Sequence, residues 1–182
     1  MRNAFIRTSM FAAVTAMTAG VASAQSAVAL PNSSQTTTLT AEVSEQAQVT
    51  VPAGVTFNVT NVAAITTASA ASVAVDSIVL ATATKQLKIS LQANAAAFTP
   101  SVALATTWSA GDVTWAAATF SNGTGASGTL SSIAFSEVST CAADAASCST
   151  TDLVFTLAAN SNVKRSGNHT LAMTWKFESI GS

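Results

Sequence analysis

The sequence predicts an all-β fold for residues 39–182, a two-sheet antiparallel sandwich of about eight short strands. Three observations support this fold class. Apolar and polar residues alternate with a period of two in several segments, Thr and Val are frequent in those segments, and turn-forming residues separate them. A strand that alternates in this way has one apolar face, and two sheets can bury these faces against each other.

The first alternating segment spans residues 39–51. Its apolar face has one exception, Glu45, which predicts a bulge or bend that splits the strand. A turn is expected at Pro52, and the alternation resumes over 55–59. The glycine-rich stretch 122–128 predicts a flexible hairpin loop. Further extended segments are predicted at 73–80, 87–93, 101–108, 113–115, 133–138, 153–157 and 171–177.

Charge is scarce in this chain. Charged residues make up 8% of it, against roughly 25% in typical soluble domains, and 7 basic residues nearly balance 8 acidic ones. Lys164 and Arg165 form the only adjacent basic pair, so no basic patch is available for nucleic acid. The hydrophobic fraction of 49% includes many alanines and overstates the bulky core. We therefore expect a surface made largely of small and uncharged polar residues.

Residues 1–24 have the three-part layout of a secretory signal peptide. Arg2 and Arg7 are basic, residues 10–21 form an uncharged apolar run, and 22–24 are small residues suited to cleavage. The run is shorter than the roughly 20 residues of a membrane span, and no later run approaches that length. We therefore expect an exported protein that passes through the periplasm and is secreted or held at the cell surface, without membrane insertion.

Residues 25–38 are polar and contain few bulky side chains. They predict a flexible N-terminal extension. The alternative is a segment that pairs with a neighbouring subunit, because Val28 and Leu30 have the two-residue spacing of one strand face. Pro31 interrupts this segment and requires a position where no ladder donor is needed. Val28 and Leu30 are therefore candidate residues of a joint between subunits.

Cys141 and Cys148 are the two cysteines of the chain. In an exported protein such a pair favours a local disulfide, which would clip the loop between the predicted strands 133–138 and 153–157. The alternative is a zinc site. The chain offers one histidine, His169, and no second cysteine pair, so four zinc ligands are hard to assemble. No metal and no cofactor are expected.

Residues that support catalysis are few. His169 lies at the start of the last predicted strand, no serine occupies a nucleophile-elbow pattern, and the acidic residues are scattered without a motif. We therefore expect no enzymatic activity. Trp115 and Trp175 lie in register with apolar neighbours and are expected in the core. Trp108 is less constrained and is the candidate ligand contact, for example with a surface glycan.

Residues 38–51 form a strand-forming N-terminal segment, and Gly-Asn-His-Thr-Leu-Ala-Met-Thr-Trp at 167–175 forms a closing strand. Together they resemble bacterial fimbrial, or pilin-type, subunits. The resemblance implies an exported Ig-like sandwich that polymerises into a fimbrium with copies of itself or related surface subunits, by exchanging an N-terminal strand. The late cysteine pair departs from the commonest pilin pattern, in which the pair lies near the N-terminus.

Two functions remain open from the sequence. The first is a non-catalytic structural or adhesive subunit of a bacterial surface filament or extracellular matrix, which fits export, the β pattern and the low charge. The alternative is a free secreted or periplasmic module that binds carbohydrate or protein. In that case Trp108 or the loop near Gly123 is the expected contact.

Overall fold

The computed structural model describes residues 37–181. The predicted signal peptide and most of the predicted extension, including Val28 and Leu30, lie outside the described residues. Residues 37–41 are exposed and have no regular secondary structure, and the second of two compact units of the chain begins at Glu42. A 3₁₀ turn spans Ala110–Asp112. The strands are β1 (Gln46–Thr50), β2 (Thr66–Thr67), β3 (Ala71–Val79), β4 (Gln86–Ala93), β5 (Thr99–Pro100), β6 (Val113–Trp115), β7 (Gly123–Gly125), β8 (Gly128–Thr129), β9 (Ser136–Cys141), β10 (Cys148–Leu153), β11 (Phe155–Leu157), β12 (His169–Thr170) and β13 (Met173–Ile180).

The strands pair only in the antiparallel sense within the described residues. A 3-stranded sheet has the order β1-β3-β10, two 4-stranded sheets have the orders β2-β11-β6-β8 and β13-β4-β9-β7, and β5 pairs with β12. No sheet of residues 37–181 closes on itself. The all-β prediction is confirmed. Several strands are short because extended stretches are interrupted, as between β10 and β11, which only Val154 separates.

The buried apolar side chains of these sheets belong to one hydrophobic cluster. Val73 of β3 and Ile89 and Leu91 of β4 are fully buried, as the period-two pattern predicts. Trp115 of β6 is 3% exposed and packs edge to face on Phe155, with ring centroids 5.9 Å apart. The expected place of Trp115 in the core is therefore confirmed.

The first predicted strand is shorter than expected. Only Gln46–Thr50 forms β1, and Leu39 is 92% exposed, because no described strand pairs with the chain before Gln46. The predicted irregularity beside Glu45 is present, since the register of β1 against β3 shifts between Gln46 and Gln48.

Glu45 occupies a position that is apolar in the alternating pattern, and hydrogen bonds hold its carboxylate there. Its carboxylate accepts from the Lys85 ammonium at 2.9 Å, the Ala81 amide at 2.7 Å and the Ser179 hydroxyl at 3.3 Å. The Lys85 hydrogen bond, with help from the Ala81 amide, holds the pKa of Glu45 below its ordinary value. Glu45 therefore connects the start of β1 to the turn after β3 and to the end of β13.

Two predictions near the middle of the chain are wrong. The strand predicted at 133–138 begins at Ser136, and Ile133 before it is 91% exposed. The stretch 122–128 is not a flexible loop, because Gly123–Gly125 pairs with β9 and Gly128 pairs with Trp115 of β6.

Trp175 is less buried than predicted. Met173, Trp175 and Phe177 of β13 face the core but are only half-buried. The reason is the position of β13 at the end of its sheet, where one flank of each side chain has no neighbouring strand among the described residues. Trp175 therefore packs against the core as expected, but part of its side chain stays exposed.

Candidate functional site

An open cleft lies where the chain of β1 leaves β3. The β1–β3 ladder ends with Thr50 opposite Ala74, and Pro52 follows shortly after. Proline has no amide proton for a ladder, so the chain turns away from β3 at this point. β3 continues to Ala71, paired with β10 on its other side. Among the described strands, none pairs with residues 71–73 of β3 on the side that β1 leaves open.

The chain after Pro52 forms the opposite wall of the cleft. Val55, Phe57 and Val59 are half-buried and pack against the core, while the residues between them are exposed. This alternation agrees with the predicted extended segment, yet residues 53–58 join no ladder. Within the described part of the chain, the backbone hydrogen bond found there runs from the Val59 amide to the Phe57 carbonyl at 3.1 Å. Among the described residues, most backbone groups of this wall therefore have no backbone partner.

The cleft has a volume of about 410 Å³ and uncharged walls. Residues 52, 54–56 and 58 form one wall, and residues 69–72 form the other. Ala70 and Ser72 are exposed, and Ala71 is 8% exposed. Because these side chains are small, another main chain can approach the wall at 69–72 closely.

An added strand needs backbone edges with open amide and carbonyl groups, and both walls offer groups that have no partner among the described strands. An extended peptide of about four residues, at roughly 3.3 Å per residue, matches the length of the wall at 69–72. Main-chain hydrogen bonds to the walls would provide affinity, and alternate side chains would meet the half-buried Val55. The geometry thus suits an extended peptide.

The titratable side chains of the described residues form no cluster that could hold a metal ion. Within residues 37–181, no group of three or more His, Cys, Asp or Glu side chains is placed to hold a metal ion. His169 has its Nδ1 2.7 Å from the Thr107 hydroxyl and its Nε2 3.4 Å from the Arg165 carbonyl oxygen. A carbonyl only accepts, so this arrangement favours the proton on Nε2 and the Thr107 hydroxyl as the donor to Nδ1. Both contacts tie His169 to neighbouring loops.

Trp108 is a core residue, and its interpretation as a ligand contact is wrong. Its side chain is 5% exposed, and its indole N–H donates to the Ala158 carbonyl at 2.9 Å. Phe98 and His169 contact its ring edge to face, with centroids 6.5 Å and 5.4 Å away. A stacking platform for a sugar needs an exposed ring face, which Trp108 does not have. The loop near Gly123, the other candidate contact, is part of β7.

The predicted disulfide between Cys141 and Cys148 is confirmed. The two Cα atoms are 5.8 Å apart, and both residues are fully buried. Cys141 ends β9 and Cys148 begins β10, and these strands belong to different sheets. The disulfide therefore closes a short loop and also links two sheets covalently.

Replacing Cys141 and Cys148 together by alanine should lower the free energy of unfolding by about 2–3 kcal/mol without abolishing folding. The loop is short, so the loss of chain-entropy stabilisation is moderate. Urea unfolding of the oxidised, reduced and Cys141→Ala/Cys148→Ala proteins measures the effect, and the last two should agree. Two free thiols in mass spectra of unreduced peptides would contradict the prediction.

Sequence reasoning missed the cleft beside β3, although one signal was present. Alternation of the same kind lies on both sides of Pro52, which indicates two extended segments that cannot share one ladder.

No protein family, curated protein or solved structure matches this chain. In the described range 37–181, no helix is long and apolar enough to cross a membrane.

Proposed function

We propose that this protein is an exported, non-catalytic structural or adhesive subunit of a bacterial surface filament or extracellular matrix. The observation that supports the proposal best is the cleft beside β3, where no described strand pairs with the backbone of either wall on the open side. A neighbouring subunit that places an extended segment there gains main-chain hydrogen bonds. The low charge of the chain, 8% of its residues, limits repulsion between copies.

The proposal includes export and an Ig-like arrangement of two layers. β10 and β11 follow each other with one residue between them, so the sheets β1-β3-β10 and β2-β11-β6-β8 continue along one stretch of chain. The sheet β13-β4-β9-β7 is then the second layer, and the disulfide from β9 to β10 crosses between layers. A buried disulfide is consistent with an oxidising compartment such as the periplasm, which the signal peptide at 1–24 would give access to.

The proposed joint is the segment 25–38 of one copy in the cleft of the next. Val28 and Leu30 supply side chains at the spacing of one strand face, and the small walls at 54–56 and 69–72 leave room for a backbone. Donor segment and cleft are different surfaces, so the contact is heterologous and can repeat along a filament.

Deletion of residues 25–37 should leave a folded protein that forms no fibres, because the donor segment is lost. Ala70→Trp should have the same effect, since it fills the cleft from an exposed position without touching the core. Negative-stain electron microscopy and light scattering measure fibres and mass, and circular dichroism verifies folding. Ala95→Trp, at an exposed position outside the cleft, is the matched control and should polymerise like the wild type.

The outcomes separate the two functions. Fibres that persist in both variants place the joint elsewhere. A wild-type protein that stays monomeric, from cells without surface fibres containing it in immunoelectron microscopy, refutes the filament proposal. If that monomer binds an extended peptide, and Ala70→Trp abolishes binding, the protein is the free secreted or periplasmic binding module. Hits on a glycan array would extend that module to carbohydrate.

A further inference from the structure

β13 (Met173–Ile180) is an edge strand with a free side. It pairs along its full length with β4, and in residues 37–181 no strand pairs with its other side. The Asn94 amide donates to the Ala172 carbonyl at 2.9 Å, which fixes the phase of the ladder. In an antiparallel ladder the hydrogen-bonded pairs alternate, so even-numbered residues of β13 bond to β4. The backbone groups of Met173, Trp175, Phe177 and Ser179 therefore point to the free side.

The two faces of β13 differ in character along this free side. Trp175 and Phe177 lie on the inner face, half-buried, with apolar surface still open. Lys176 and Glu178 lie on the outer face, and their charged groups are 2.9 Å apart. Lys88 of β4 is 3.5 Å from the same glutamate. The free side thus presents unpaired backbone between an apolar face and a face of opposite charges.

We propose that β13 pairs with β13 of a second copy of this chain, antiparallel, about a two-fold axis at Phe177. Phe177 then faces Phe177 of the second copy in a hydrogen-bonded pair, and Trp175 faces Ser179 of the second copy. Lys176 faces Glu178 of the second copy, and the symmetry repeats this contact. These charge pairs occupy non-hydrogen-bonded positions, where opposite Cα atoms are about 4.5 Å apart and side chains meet most closely.

The charges of Lys176 and Glu178 favour the register with its axis at Phe177 over registers with the axis at a nearby residue. An axis at Lys176 or at Glu178 places like charges opposite each other, which opposes pairing. An axis at Trp175 places both charged residues opposite uncharged ones. A lysine on an edge strand usually discourages pairing, but Glu178 on the same face turns the two-fold-related strand into a complementary partner. Pairing would also cover the open flanks of Trp175 and Phe177.

This dimer does not depend on the proposed filament function. A two-fold contact uses the same surface on both copies and closes on itself, whereas the joint in the cleft is heterologous and can continue. The paired β13 strands would make one continuous sheet from the two β13-β4-β9-β7 sheets. A protein that dimerises through β13 but forms no fibres supports this inference and contradicts the filament proposal. A protein that forms fibres without the β13 contact supports the filament proposal and contradicts this inference.

Sedimentation equilibrium of the purified protein tests the pairing. The wild type should dimerise, and Lys176→Glu and Glu178→Lys should each weaken dimerisation at least about tenfold, because each sets like charges opposite each other. An equimolar mixture of the two variants should form heterodimers, since one carries two acidic and the other two basic groups at positions 176 and 178. Lys164→Glu, in an exposed loop, is the control and should dimerise like the wild type.

A monomeric wild type overturns the inference, and so do charge-reversal variants that dimerise as strongly as the wild type. A mixture that stays monomeric also overturns it. Circular dichroism of each variant verifies folding first. If a reversal variant does not fold, Lys176→Gln and Glu178→Gln replace the pair, and each should weaken the dimer several-fold because attraction is lost without added repulsion.

Discussion

Replacement of Trp115 by alanine is expected to remove about 3–5 kcal/mol from the free energy of unfolding. The indole is 3% exposed and packs edge to face on Phe155, so its removal leaves a large cavity in the main cluster. Its N–H donates to the Ala126 carbonyl at 3.1 Å, and that acceptor would lose its partner. Since small domains are stable by about 5–15 kcal/mol, a substantial fraction of the variant should unfold under mild denaturant.

Urea unfolding followed by far-UV circular dichroism measures this loss, and Trp175→Ala is the matched comparison. Trp175 is the same residue type on the half-buried edge strand β13, so its replacement should cost clearly less than that of Trp115. Equal losses for the two variants would show that β13 is covered in solution. Wild-type stability in Trp115→Ala would contradict the position of Trp115 in the core.

Local alternation was sufficient to predict the regular strands. β4 and β13 fall within or close to their predicted segments, and their apolar positions face the core, because the period of side chains along a strand is a property of the backbone alone. The disulfide was predictable for a similar reason, since Cys141 and Cys148 are close in sequence and have no competing cysteine.

The degree of burial could not be predicted, because it depends on which strand lies beside which. Trp175 alternates as regularly as Trp115 but lies at the end of its sheet, and no local pattern contains that information. Trp108 was mispredicted in the opposite direction, because it is buried although it was the candidate ligand contact. It ends the predicted extended segment 101–108, where nothing local required burial, yet Ala158, which is distant in sequence, accepts its indole N–H.

The cleft beside β3 could not be predicted for the same reason, since it also depends on which strands are neighbours. Pro52 marks the end of a ladder in the sequence, but the sequence does not show that β3 continues past it to Ala71. A chain that ends its pairing earlier than its neighbour leaves an open edge, and both strands must be placed before that edge is visible. The proposed joint and the proposed β13 dimer both depend on such unpaired edges.

Replacement of Gly125 by alanine is expected to cost more than about 3 kcal/mol, above the usual range for overpacking. A Cβ on Gly125 would lie 2.0 Å from the Ala118 carbonyl oxygen, and backbone cannot move aside as a flexible side chain can. Gly125 of β7 pairs with Ser139 of β9, so any shift that relieves the clash must also disturb the β7–β9 ladder.

Gly54→Ala is the matched control, because a Cβ there meets nothing within 4 Å and the protein should be unchanged or slightly more stable. Thermal and urea unfolding of the two variants measure the difference. If Gly125→Ala unfolds at the same midpoint as Gly54→Ala, β7 does not pack closely against residue 118, and 122–128 is the flexible loop that its glycines first suggested.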